Sequence, residues 1–344
     1  MQTPNAGGVD IGIRTGDDET ITAWEYCMFD AEAAKPPALF VFGDSYADTG
    51  NHDKHNPNVS QPWRIPYGQT WPGNPSGRYS DGFVLTDFIA RFLNLPAPLP
   101  YSQVKEMPAT GLDFAYGGSG VFDTYGPAYI PIRTQIEQFE SLAQGNPVDY
   151  KNSLVLFVYS GNDYAVHFLK YGLTDLPILI PRIIEEIKLL LKRLHKLGFR
   201  RFAVTNLEPT GCLPFVRMPS GIMNCIQIDN FLTSMHNDLL SKALATLRTS
   251  SSHDAKYILL DQYSTFLEIF SSASDYGFGE DVLKSCCVGA STDTGCGAVD
   301  DSGEPLYKVC NDPSKAFFWD GAHPTEAGWK AVTWRFYPLI ISLR

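Results

Sequence analysis

Short apolar runs alternate along most of this chain with longer segments of helical period. Ala38-Leu39-Phe40-Val41-Phe42, Leu154-Val155-Leu156-Phe157-Val158 and Tyr257-Ile258-Leu259-Leu260 carry no charged residue. That is the pattern of strands buried on both faces of a parallel sheet. Residues 112–115 and Phe202-Ala203-Val204 read as shorter strands of the same kind. The clearest helix follows from Leu176, Ile180, Ile183, Ile187, Leu190, Leu194 and Leu197, which recur at three and four residues and so share one face. Arg182, Glu185, Lys192, Arg193 and Lys196 fall elsewhere on it, and Gly198 supplies a stop. Helices are also expected over 83–95, 135–143, 226–247 and 325–343. Strands alternating with helices predict a parallel sheet covered on both faces. The expectation is therefore one α/β domain over 36–344, a three-layer αβα sandwich with a central, mainly parallel sheet. Two long stretches, 49–80 and 271–313, read as irregular.

Composition narrows the class without changing this picture. With 44% hydrophobic and 19% charged residues the chain is ordinary for a protein with a sizeable core. A net charge of −11 argues against nucleic acid or an anionic membrane surface as a partner. No apolar run approaches the roughly 18–20 residues of a membrane helix, so stable membrane insertion is not expected. Residues 1–35 lack the basic start, apolar core and cleavage site of a secretory signal, and they read as a mobile extension or leader.

Cysteines suggest the compartment. Of the 7, Cys27 stands alone, while Cys212, Cys225, Cys286, Cys287, Cys296 and Cys310 lie in the second half without CxxC pairs. That distribution suggests three disulfides rather than a zinc site, and hence a secreted or otherwise oxidising location; buried free thiols are the alternative. Cys212–Cys225 closes a short loop and is the first pair expected, with Cys27 left free. The Asn58-Val59-Ser60 sequon points the same way.

Four segments carry candidate chemistry, each near an expected strand end or on a loop, where a parallel-sheet enzyme keeps its site. Gly43-Asp44-Ser45-Tyr46 follows the first strand and offers a serine hydroxyl and backbone N–H at a turn, although Gly-Asp-Ser is also ordinary turn chemistry. Asp320-Gly321-Ala322-His323-Pro324 sets a carboxylate three residues from an imidazole, the spacing of a base and its orienting partner. Gly117-Gly118 and Gly161-Asn162-Asp163 supply close backbone N–H groups and a neutral amide donor. Each reads equally well as a turn; their combination points to a three-donor oxyanion hole. No Gly-x-Ser-x-Gly, Walker lysine motif or His-Glu-x-x-His is present. His52 and His55 form at most a weak metal pair.

Together these segments resemble the ordered blocks of plant-type GDSL esterases/lipases of the SGNH hydrolase superfamily. The resemblance lies in 42–51 (Phe-Gly-Asp-Ser-Tyr-Ala-Asp-Thr-Gly-Asn), 113–120, Gly161-Asn162-Asp163 and 318–326, and it covers nearly the whole chain from Pro36. Gly211-Cys212-Leu213-Pro214 and the Cys286-Cys287 pair are similar to plant members as well. The resemblance implies Ser45 as nucleophile, His323 as base, Asp320 as its partner, and Ser45, Gly118 and Asn162 as oxyanion donors. Tyr46 stands where the family carries its eponymous leucine, and Asp113 and Ser119 replace the more usual Asn and Ala. The implied function is cofactor-free hydrolysis of a small-molecule carboxylic ester through an acyl-serine. An acyltransferase using the same intermediate is the alternative, and a catalytically silent binding protein a third reading. Tyr46, Tyr116, Tyr164 and Trp319 are candidate pocket aromatics, with core packing as the alternative for each.

Overall fold

The computed structural model describes residues 38–344 except 58, 146–147, 173, 218–220, 222, 251–253 and 292–293. The expected extension at 1–35, Cys27 and the sequon's Asn58 lie outside the described residues. The strands are β1 (Leu39–Phe42), β2 (Gly111–Asp113), β3 (Leu154–Phe157), β4 (Arg201–Thr205), β5 (Lys256–Leu260), β6 (Cys287–Gly289) and β7 (Tyr307–Val309). The helices are α1 (Leu85–Phe92), α2 (Ile132–Ala143), α3 (Asn162–Tyr171), α4 (Leu176–Lys196), α5 (Pro214–Arg217), α6 (Gln227–Ser250), α7 (Gln262–Ser271) and α8 (Glu326–Ile341).

The first five strands form one sheet in the order β2-β1-β3-β4-β5, with every pair parallel. Alternation along the strands makes it two-faced. Phe40, Phe42, Val155, Phe157, Phe202, Val204 and Tyr257 join a core with the apolar stripes of α2, α4 and α6. Leu39, Val41, Leu154 and Leu156, buried as well, point to the other face, where α8 packs on α1, α7 and β5. The αβα sandwich read from the apolar pattern is the observed architecture.

Differences from the sequence expectation have local causes. Helix α3 went unpredicted because Asp163 is its only buried residue, so it has no apolar stripe to read. The irregular stretch 271–313 contains an antiparallel pair, β6 with β7, stitched by Cys286–Cys310 and Cys287–Cys296. The third bridge is Cys212–Cys225. Among the described residues no helix is long and apolar enough to cross a membrane.

Candidate active site

The chain runs from β1 to β2 on one side and then returns to β3 on the other. The sheet order therefore reverses between β1 and β3, where open parallel sheets form a crevice beyond the strand ends. Ser45 follows β1 by three residues and Asn162 opens α3 after β3. Both reach that crevice because their strands are neighbours.

Ser45, 6% exposed, sits in a turn closed by Ala47 and Asp48 N–H donating to the Asp44 carbonyl. Asp44 ties the turn down: its side chain accepts from Tyr46 N–H at 3.2 Å and Ser160 N–H at 2.6 Å. Burial pushes the Asp44 carboxyl up to about 6, partly offset by those bonds. Tyr46, the departure from the family pattern, is buried and donates its hydroxyl to the Ala322 carbonyl at 2.8 Å. It thus joins the Ser45 turn to the loop that carries His323.

On that loop His323 Nε2 lies 2.8 Å from Ser45 Oγ, and His323 Nδ1 lies 2.8 and 2.9 Å from the two Asp320 oxygens. Asp320 also accepts the backbone N–H of Ala322 and His323, each at 2.9 Å, and the Tyr67 hydroxyl at 2.7 Å. Burial alone would raise this carboxyl, yet the facing His323 and these bonds hold it below its ordinary value. An ionised partner fixes the imidazole with Nδ1–H towards Asp320 and the Nε2 lone pair towards the serine. The loop is braced from both ends. Thr325 caps α8 through Gly328 N–H, and Cys286 and Cys287 N–H donate to the carbonyls of Phe318 and Trp319. Tyr79 stacks on the His323 ring at 4.8 Å.

The glycine turn at 117–120 faces Ser45 from across the sheet edge. Gln135 spaces the two, accepting from Gly43 N–H at 2.8 Å and donating to the Gly43 carbonyl and Ser119 Oγ at 2.7 and 2.9 Å. Gly118 has φ +80°, and a Cβ there would lie 2.5 Å from the Tyr129 ring. Only glycine fits. The N–H groups of Ser45 and Gly118 meet no acceptor among the described residues. Asn162 Nδ2 donates one proton to the Ser119 carbonyl at 3.0 Å and has a second to offer. Asp163, next along, accepts from Val121 and Phe122 N–H at 2.9 and 3.0 Å, locking α3 to the glycine turn.

Ser45, Gly118, Asn162 and His323 all line one cavity of about 930 Å³. Its far walls are apolar, including Phe168, Leu176, Ile180, Leu213 and Leu232. Of the aromatic candidates Tyr46 and Tyr164 line it, whereas Tyr116 stacks on His52 and Trp319 is fully buried against Tyr67. Glu208, which sequence reasoning passed over, borders the cavity with Oε2 buried and unpartnered among the described residues. Burial pushes its carboxyl up to about 8. No run or spacing marked Glu208 or Tyr67; they matter only through what the fold brings beside them. Among the described residues no cluster could hold a metal ion, and His55 is exposed while His52 is buried.

The family model for GDSL-like Lipase/Acylhydrolase matches residues 39–336. Two GDSL esterases/lipases of Arabidopsis thaliana are 42% and 41% identical, each alignment covering 87% of this chain and 86% or 85% of the relative. Acetylajmalan esterase 2 of Rauvolfia serpentina is 31% identical over 92% of this chain and 91% of its own length.

Proposed function

The chain belongs to the GDSL-like lipase/acylhydrolase family, and on that premise we propose that it is a carboxylic-ester hydrolase acting through an acyl-serine at Ser45. The observation that carries this reading is the continuous contact from Ser45 Oγ through His323 to Asp320, 2.8 Å at each step. In this reading His323 Nε2 takes the Ser45 proton as Oγ attacks the ester carbonyl. The resulting oxyanion receives the N–H groups of Ser45 and Gly118 and the free amide proton of Asn162. Collapse breaks the ester C–O bond, and His323 returns the proton to the leaving alcohol. Water then attacks the acyl-enzyme, gives its proton to His323, and releases the acid and Ser45. No step calls for a cofactor. The three disulfides fit an oxidising, secreted setting.

Labelling with a serine-reactive phosphonate tests the assignment. Ser45→Ala should abolish both labelling and ester turnover with the thermal midpoint nearly unchanged, and His323→Ala should do much the same because such residues act as a unit. Retained labelling in Ser45→Ala would refute it. The same acyl-serine would serve an acyltransferase, so free acid and new ester should be quantified as candidate alcohols are added. A saturable rise in new ester at millimolar acceptor, with free acid falling in step, would reassign the enzyme as a transferase.

A further inference from the structure

We infer that His52, as a doubly protonated imidazolium paired with Asp48, is a positioning residue that aims the Gly118 N–H at the Ser45 oxyanion. The role of Gly118 rests on the function proposed above; the protonation state of His52 does not.

The protonation follows from the partners. His52 Nδ1 lies 2.6 Å from the Val59 carbonyl oxygen, its nearest partner, with the Tyr79 hydroxyl farther off at 3.5 Å, and Nε2 lies 2.9 Å from the Gly117 carbonyl oxygen. Carbonyl oxygens only accept, and a neutral imidazole has a single N–H. Either neutral tautomer would therefore press a ring lone pair against a carbonyl lone pair, at a side chain shielded from water. Protons on both nitrogens satisfy both contacts. The surroundings suit the charge that results. Asp48 Oδ2 is 3.7 Å from Nε2, and both side chains are wholly buried. Tyr116 stacks on the ring at 4.1 Å, setting a neutral aromatic face against a cation. Behind Asp48 lie Arg78, paired with Asp87 at 2.8 Å, and Asp113, whose carboxyl is pushed well above its ordinary value by burial and by Asp48.

The consequence for the site follows from peptide geometry. Ser119 N–H donates to the Tyr116 carbonyl at 3.0 Å, so residues 116–119 form a β-turn. With Gly118 at φ +80° the turn is type II, which differs from type I by a near-reversal of its middle peptide. That middle peptide is the Gly117 carbonyl joined to the Gly118 N–H. A trans peptide is planar, with its N–H pointing opposite its C=O. By holding the Gly117 oxygen, His52 therefore sets the direction of the Gly118 N–H, and Gly118 lines the cavity. Two adjacent glycines put no Cβ in the way of reversal. Asp48 Oδ2 grips the preceding peptide through Gly117 N–H at 2.9 Å, so one buried ion pair holds both. A charged donor on the carbonyl also polarises the N–H at the other end of the peptide.

Two measurements on the full chain test this. In histidine-15N-labelled protein at neutral pH, both His52 ring nitrogens should carry protons, with the signals assigned in the wild type by nuclear Overhauser contacts to the Tyr116 and Tyr79 rings. One bare ring nitrogen would overturn the inference, whatever the kinetics. With a soluble short-chain ester, His52→Phe and His52→Gln should lower kcat by about 10- to 100-fold and leave KM within about twofold. Affinity for a boronic acid that forms a tetrahedral adduct on serine should fall by the same factor as kcat. Folded variants with wild-type kcat and boronate affinity would also overturn it. If the variants do not fold, the nitrogen spectrum of the wild type decides. Full activity in Ser45→Ala would instead sink the proposed function and leave the spectrum to judge His52 alone.

Discussion

Tyr67 donates its hydroxyl to Asp320 Oδ2 at 2.7 Å, across 253 residues of sequence, and with His323 and two backbone N–H groups it surrounds a buried carboxylate with donors. The segment 49–80 thus reaches the back of the site, while its Gln61 and Tyr79 line the cavity. Removing this one hydroxyl leaves the Ser45–His323 contact in place but weakens the hold on the ionised Asp320.

Tyr67→Phe should therefore lower kcat by roughly 10- to 150-fold, in line with the roughly 1.5–3 kcal/mol of a hydrogen bond to a charged group. Because the Asp320 carboxyl is held below its ordinary value, its stabilising contribution is present above the unfolded-state value of about 4 and is lost as pH falls through the lower folded value. The variant should move that acid loss to higher pH. Thermal midpoints and kcat measured between pH 3 and 6 check both parts; an unmoved acid limb would assign the hydroxyl to packing alone.

Glu208 predicts the opposite slope. Its carboxyl rises from 4.5 to about 8 on burial, so the fold keeps a proton that the unfolded chain releases above about 4.5. Stability is then highest below that value and declines as pH rises towards 8. Over that range the loss amounts to several kcal/mol, on the order of one for each pH step. Glu208→Gln, which cannot ionise, should match the wild type near pH 4.5 and exceed it increasingly up to pH 8. Parallel melting curves of the two proteins would refute the burial argument.

Asn162→Ala should reduce kcat by about 10²–10³ with KM little changed, the usual cost of one oxyanion donor. Its amide also donates to the Ser119 carbonyl at 3.0 Å, so a small loss of thermal stability should accompany it. Initial rates across substrate concentration separate the two effects. A merely twofold drop in kcat would leave that structural bond as its only role.

The bridge Cys286–Cys310 closes 24 residues, for which loop entropy gives about 3.5 kcal/mol. Cys286 N–H supports the Phe318 carbonyl just ahead of Asp320. The double variant Cys286→Ala/Cys310→Ala should thus lose activity at temperatures where it is still folded, as the brace on the His323 loop loosens. Non-reducing mass mapping should find the pairs 212–225, 286–310 and 287–296. Six free thiols in folded protein would refute the bridges and the oxidising location inferred from them.

By itself the sequence determined the layers and the candidate blocks. Strands such as Leu39–Phe42 and Leu154–Phe157 are buried on both faces, so they read as unbroken apolar runs. The short polar motifs at their ends stand out against those runs, as does the Asp320–His323 spacing within one loop. Neither depends on knowing where any distant residue lies. Only the tertiary structure decided what surrounds them. Tyr67, His52 and Glu208 lie in segments without period, and each acquires its meaning from a single distant or buried neighbour: Asp320, the Gly117 carbonyl, the cavity wall. Helix α3 stayed hidden for the related reason that it buries a carboxylate instead of an apolar stripe. Periodicity records which face of an element is turned from water. It carries no record of which polar groups meet once the faces have closed.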